Sequence, residues 1–306
     1  MPRPLFECVP NYSEGRRPEV IEAIVAPFRG RAGVHLLDHR ADPDHNRLVV
    51  SLVGEPDALQ ESLLESARAA IAAIDLRAHT GAHPRIGAVD VVPFVPLMGA
   101  AMPDCVSLAR EFGRRFNRET GVPVYFYEEA ALRPERRRLE VVRKGQFEAL
   151  RTGIERPERQ PDVGQARLHP SAGATAIGAR PFLIAFNINL GSRDLAIARE
   201  IARSIRESSG GMPCVKAVAV DLAARGLVQV SINITDMQKA PLYTVLERVR
   251  EEARRRGIEV VETEIYGMVP AAALIDSAAR SLQLAGFDPA QVLELRLLDL
   301  AGQEGS

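Results

Sequence analysis

No tryptophan occurs in the 306 residues, and phenylalanine and tyrosine bring the aromatic share only to 5%. Little is left to stack on bases, so a single-stranded nucleic-acid platform is not expected. Charge points the same way: a net charge of -1, with 26% of residues charged, supplies no broad pull toward a polyanion. Cysteine is scarce. Cys8, Cys105 and Cys214 are odd in number and far apart, with no CxxC pair, which fits reduced thiols better than disulfides or a zinc site. No apolar run approaches membrane-spanning length, and the opening Met-Pro-Arg-Pro-Leu-Phe-Glu lacks a signal core. The expectation is a soluble, cytoplasmic protein. What the chain does have is 46% hydrophobic residues, enough for a large core in one or two domains.

Periodicity sets out the order of elements. Leu5 to Val9 reads as a strand and Pro18 to Arg29 as a helix with proline in its first turn. Val34 to Leu37 and Leu48 to Val53 read as strands joined by the polar turn Asp42-Pro43-Asp44-His45-Asn46. A helix over Pro56 to Ile74 and a strand over Val89 to Val95 complete the order β-α-β-β-α-β. The order returns with a strand at Phe182 to Asn189 and a helix at Arg193 to Glu207. Strands at Val215 to Leu222 and Leu227 to Ile234, a helix at Pro241 to Arg256 and a strand at Ile258 to Ile265 complete it. The fold expected is therefore α/β (α+β), with two ferredoxin-like βαββαβ subdomains of mostly antiparallel sheet, residues 1–180 and 181–306. The first is elaborated by a helix from Pro103 to Glu119, a strand from Val122 to Tyr127 and a basic helix from Pro134 to Leu150. Residues 151–174 read as a long irregular crossing, a kind of loop that is usually functional or disordered.

The densest chemistry lies in His79-Thr-Gly-Ala-His83-Pro84-Arg85-Ile86-Gly87-Ala88-Val89-Asp90. Gly81, Pro84 and Gly87 break any helix, so the two histidines cannot share a helical face as a zinc pair would. A rigid histidine at the mouth of a buried strand suits a general base near neutral pH; the plainer reading has it packing in a turn. Gly173 to Arg180 has phosphate-loop glycine spacing but no lysine and no following helix, so nucleotide binding is rejected there. Arg133, Arg136, Arg137, Arg138, Arg143 and Lys144 read as a solvated helix face rather than a nucleic-acid surface. Asp42, Asp44 and His45 fit an Asx-type turn better than a metal site, and no metal is expected. Asn187, Asn189, Gln229 and Asn233 are amides on otherwise apolar strands. They either satisfy one another or line a ligand cavity.

Together these segments are more specific than any one alone. Glu7-Cys8-Val9-Pro10-Asn11-Tyr12-Ser13-Glu14-Gly15, Asn46-Arg47, His83 to Asp90, Val122-Pro123-Val124-Tyr125, Gly173-Ala174-Thr175 with Gly178-Ala179-Arg180, Phe186 to Leu190 and Gln229-Val230-Ser231 occur in one order over nearly the whole chain. In these the chain resembles the formiminotransferase family, folate-dependent enzymes of histidine degradation that process formiminoglutamate. The resemblance implies two α/β subdomains with substrate at their interface, a homodimer, and tetrahydrofolate as co-substrate. It places the catalytic base on His83. It places the folate contacts on Gly164, Gln165, Ala166, Arg167, Leu168, His169, Pro170, Ser171, Ala172 and Gly173. Some members carry a fused cyclodeaminase domain, for which the expectation here is that there is no room. Many relatives have an acid where this chain has Arg40; if that acid orients the base, either Asp38, Asp42 or Asp44 substitutes here or the acceptor differs, and His169 and Ala172 also depart from the animal enzymes.

The reaction so implied moves a formimino group from N-formiminoglutamate to N5 of tetrahydrofolate. One histidine can take the proton from N5 and return one to the leaving amine. Both substrates carry carboxylates, which makes Arg47, Arg85 and Arg180 candidate anchors by charge and location. Two other readings stay open at this point. One is a transferase acting on 5-formyltetrahydrofolate or on another amino acid such as glycine. The other, outside catalysis, is a ligand-sensing plait protein.

Overall fold

The run Val89–Pro96 is buried along almost its whole length because sheet continues on both sides of it and side chains pack on both faces. The computed structural model describes residues 3–304, and the chain divides into two compact units, Met1–Phe182 and Leu183–Ser306. In the first unit the strands are β1 (Phe6–Cys8), β2 (Asn11–Tyr12), β3 (Val34–Asp42), β4 (Arg47–Gly54), β5 (Val89–Pro96), β6 (Val124–Glu128) and β7 (Thr175–Ala179). The helices are α1 (Pro18–Val25), α2 (Pro56–Ala73), α3 (Met102–Thr120), α4 (Leu139–Val142) and α5 (Gln146–Gly153). Strand β1 pairs antiparallel with both β4 and β5, and β3 takes the edge beside β4, which is the plait the sequence pattern implies. The sheet then continues past β5 through β7 to β6, both pairings parallel.

Alternation along the strands sorts the two faces. Phe6, Cys8, Leu48, Val50, Leu52, Val92, Phe94, Phe126 and Ile177 face the helices. Helix α3 answers with Cys105, Leu108, Ala109, Phe112 and Phe116, spaced three or four apart. Phe112 lies edge-on to Phe94 at 5.7 Å. Each such ring contributes about 1.5–3 kcal/mol by leaving water. On the opposite face Val91, Tyr125, Tyr127 and Ala176 pack beneath Val142 and Leu150.

Three expectations need correction. The basic helix over Pro134 to Leu150 is a 3-10 turn at Pro134–Arg137 followed by α4 and then α5. Gly145 at φ 77° and Gln146 at φ 58° divide α4 from α5. Its arginines are not all solvated: Arg136 ion-pairs with buried Asp162 at 2.7 Å, and Arg143 pairs with buried Asp90. Residues 175–179, read as a glycine-rich lead-in, are a buried parallel strand, because small side chains let the Tyr127 ring lie on Gly178.

The second unit holds β8 (Ile184–Leu190), β9 (Val215–Leu222), β10 (Leu227–Ile234) and β11 (Val260–Tyr266). They lie in the order β11-β8-β10-β9, all antiparallel. Helix α6 (Leu195–Ile205) packs on β9 and β10, with Asp194 capping its first turn through Ala196 N–H at 2.9 Å. Helix α7 (Leu242–Arg254) follows β10, and α8 (Ala271–Ser281) and α9 (Leu293–Glu304) close the chain.

Strand β1 turns Phe6 and Cys8 into the core, so Glu7 points to the opposite face, where it is 4% exposed. Burial raises its carboxyl to about 7, against the pull of the Arg180 guanidinium. A folded value above the unfolded one means the folded state holds the proton more tightly. Stability therefore falls as pH rises from the ordinary carboxyl range through about 7. Glu7→Gln should match wild type at pH 4 and be more stable at pH 8 by on the order of 2 kcal/mol in urea unfolding. Equal stability at pH 8 would show that Glu7 ionises freely.

Candidate active site

Three loops of the first unit meet around one side chain. Asn46 sits in the left-handed region at φ 49°, which asparagine tolerates better than most residues. Its Oδ1 accepts from Gly15 N–H at 2.9 Å, its Nδ2 donates to Thr80 O at 2.9 Å, and its carbonyl accepts from His79 Nε2 at 3.2 Å. Further backbone bonds run from Ala82 N–H to Asp44 O at 3.2 Å and from His83 N–H to His45 O at 3.4 Å. Ser13 joins the same junction, its Oγ donating to Gly87 O at 2.7 Å. The β3–β4 turn, the stretch after β2 and the loop before β5 therefore form one body.

His83 emerges from this junction half-buried, with Nε2 turned inward, 3.9 Å from Asp90 Oδ2 and without a hydrogen-bond partner. Asp90 is 1% exposed, and its carboxylate is already engaged: Oδ1 accepts from Ile86 N–H at 2.7 Å, and Oδ2 pairs with Arg143. It has little left with which to hold a proton on His83. Burial, then the charges of Arg47 and Arg143 and the neighbouring imidazoles of His45 and His79, push His83 down to about 2. The site thus presents a neutral imidazole ringed by cations, a proton acceptor placed where an anion would settle.

The segment from Gly164 to Gly173 lies against this loop. His169 and Gly173 exchange two backbone bonds of 3.1 Å, and His169 Nδ1 accepts from Ala172 N–H at 3.0 Å. Burial lowers the His169 imidazole from its ordinary value. The turn is tied to the His83 loop by Ala88 N–H to Ala172 O and Ala174 N–H to Ile86 O, both 2.9 Å. Gly87 and Gly173 pack backbone on backbone: a Cβ on Gly87 would stand 2.0 Å from Ala174 O, and one on Gly173 2.2 Å from Ile86 O. Beside the segment opens a recess of about 300 Å³, lined by Ala166, Arg167, Leu168, His169 and Pro170 with Phe147, Arg151, Ile154 and Glu155. Gly164 at φ 95° leans on the Asn117 amide and Ala172 is buried, whereas Gln165 is exposed.

The arginine candidates separate. Arg47 faces His83 and Asp42. Arg180 lies near Glu7 and donates to Pro181 O at 3.0 Å. Arg85 is held differently. All five of its N–H groups already have acceptors in His79 (Nδ1 at 3.1 Å, O at 3.3 Å), Gln146 (3.1 Å) and Glu148 (3.0 and 2.8 Å). It is a strut between the histidine loop and α5. Its donation to His79 Nδ1 leaves Nε2 to donate to Asn46, so His79 is neutral, in line with the lowering that burial causes.

The amides belong to the second unit and share the sheet face turned away from Val228, Val230 and Ile232. Gln229 Nε2 donates to Asn189 Oδ1 at 2.8 Å, and Asn189 Nδ2 donates to Glu262 Oε1 at 2.8 Å. These two are buried and satisfy each other, while Asn233, opposite Ala185, is exposed and Asn187 lies opposite Ser231. Reasoning from residues alone passed over Asp90, Arg143 and the organising role of Asn46. The signal available for Asp90 was a carboxylate inside a run of buried valines. For Arg143 there was none beyond its place in a basic stretch.

Comparison with known proteins bears directly on this arrangement. Residues 5–180 match the family described as "Formiminotransferase domain, N-terminal subdomain", and residues 185–286 match "Formiminotransferase domain". A protein of Streptococcus pyogenes serotype M1 named glutamate formimidoyltransferase is 44% identical over 295 residues, covering 96% of this chain and 99% of its own length. One of the same name from Thermoplasma acidophilum is 43% identical over 302 residues, 98% of this chain and 99% of that protein. The formimidoyltransferase-cyclodeaminase of Rattus norvegicus is 44% identical over 281 residues, which is 90% of this chain and 52% of the rat protein. Matches that run through both units, with the His83 loop and the segment beside it inside the first, mean that the chain belongs to the formiminotransferase family.

Proposed function

We propose that this chain is a one-carbon transferase that moves the formimino group of N-formimino-L-glutamate to N5 of tetrahydrofolate, as in histidine breakdown. The observation that carries the site is the neutral His83, flanked by Arg47 and Arg143, on a loop hydrogen-bonded to Gly164–Gly173. Residues 1–180 form the subdomain with the catalytic histidine and the folate segment, and residues 181–306 form the second. The folate contacts are the ten residues from Gly164 to Gly173, and Arg167, His169 and Arg151 give the neighbouring recess polar groups for a pterin and its carboxylate tail. Arg47, Arg85 and Arg180 are the candidates for substrate carboxylates, and Asn187, Asn189, Gln229 and Asn233 the weaker candidates for substrate contacts. The protein acts as a cytoplasmic homodimer without metal, nucleic acid or membrane. The family and the net charge of -1 support that reading.

The chemistry follows from where charge changes. N5 forms a bond to the formimino carbon and gives its proton to His83; the bond from that carbon to the glutamate nitrogen then breaks as the nitrogen gains a proton. A histidine pushed down to about 2 is a weak base in the empty site. Burial is the first cause of that lowering and the Arg47 charge the second, so a substrate carboxylate seated against Arg47 offsets the second and raises the basicity of His83. The rest of the rate enhancement is positioning.

Product formation is the first test: the protein mixed with formiminoglutamate and tetrahydrofolate should yield 5-formiminotetrahydrofolate. His83→Ala should lower turnover by on the order of 10²–10⁴-fold with tetrahydrofolate binding largely kept. Near-normal turnover would make His83 structural. Gln229→Leu strands the Asn189 carbonyl and should cost about 1–3 kcal/mol in thermal or urea unfolding. If the amides also meet the pterin, the KM for tetrahydrofolate rises with it. Lost stability with unaltered KM would remove them from the binding site.

A further inference from the structure

The turn between β3 and β4 holds more than a loop connection requires. Asp42 Oδ1 closes the turn by accepting from Asp44 N–H at 3.0 Å and His45 N–H at 2.9 Å. Its second oxygen does something the turn does not need. Oδ2 sits 2.6 Å from His45 Nδ1, fixing the ring and leaving Nε2 as its other nitrogen. That ring stands edge-on to His83, with centroids 6.4 Å apart. Two imidazoles thus stand side by side in different company: His45 has a carboxylate in contact, and His83 has Arg47 and Arg143 nearby with the Asp90 carboxylate at 3.9 Å.

The proposed transfer passes through a carbon bonded to both N5 and the glutamate nitrogen, and those two nitrogens are about 2.4 Å apart by standard bond geometry. One must lose a proton while the other gains one. Two rings at this separation can flank a single such carbon, one toward each nitrogen. We propose that His45, braced by Asp42, is the general acid that protonates the leaving glutamate nitrogen, while His83 takes the proton from N5. The inference rests on the formimino-transfer reading. Asp42 holds the His45 ring through Nδ1 and turns its other nitrogen free of the turn, so two like side chains stand in unlike surroundings on either side of the reacting carbon. Arg47, Arg143, Asp90 and His79 are the other charged or titratable groups around the pair.

The test uses the intact protein and the formiminoglutamate–tetrahydrofolate assay over a range of pH. His45→Gln should lower kcat by on the order of 10²-fold, with KM for tetrahydrofolate changed by less than about twofold. Asp42→Asn keeps the oxygen that closes the turn and replaces the charged acceptor at His45 Nδ1 with an amide NH2, which cannot accept from a protonated ring. It should lower kcat by about tenfold and move the high-pH limb of the kcat profile down by about one pH unit, because that limb belongs to the group that must carry a proton. Melting curves check that both variants fold, and Asp42→Asn stands alone if His45→Gln does not. Wild-type kcat in His45→Gln, or an unmoved limb in Asp42→Asn, would overturn the role of His45 and leave the transferase reading intact. Absence of product from the wild type would overturn both.

Discussion

The carboxamide of Asn46 is the constraint on which the rest of the site depends. It joins the stretch after β2 to the loop before β5 through both ends of one group, while its own carbonyl receives His79. None of the three loops has regular structure, so their backbone amides need partners from each other or from water. With Asn46 buried, each of these bonds contributes about 1 kcal/mol, and losing a partner costs more than that. The spacing of His45 and His83 follows directly, since each imidazole hangs from a loop whose place Asn46 sets.

Buried charge is handled in two ways in the first unit. Asp90 meets Arg143 and Asp162 meets Arg136 at contact inside the protein, while buried Arg85 reaches out to the exposed carboxylate of Glu148. Such pairs add little net stability against the cost of leaving water, but they fix direction and register. Glu7 and His83 lack a full partner and instead move toward neutrality. The contrast explains how a histidine beside a carboxylate is still discouraged from holding a proton: the carboxylate belongs to Arg143.

How much could be read from the chain depended on whether a residue's neighbours lay close in sequence. The plaits were legible because alternation and helical spacing are local, and β9 and β10 follow their apolar runs to the residue. Strand β7 was not, because Thr175-Ala-Ile-Gly-Ala has no strand-like bulk and is made a strand by β5 and β6 on either side. The helix expected over Pro134 to Leu150 failed at Gly145, where a left-handed turn outweighs helical spacing. His83 was legible from its motif. Its surroundings were not, since Arg143 lies sixty residues away along the chain and Arg47 thirty-six in the other direction. For Arg85, sequence reveals a charge but not whether its donors are already taken.

The contact of Gly87 with Gly173 has an evolutionary corollary. The link between the histidine loop and the 164–173 turn is made by peptide groups, with no side chain between them. Exposed side chains along that turn, such as that of Gln165, can therefore change without altering the spacing between the turn and the histidine loop. The chemistry of the turn can vary while it rides on a register that mutation can scarcely reach.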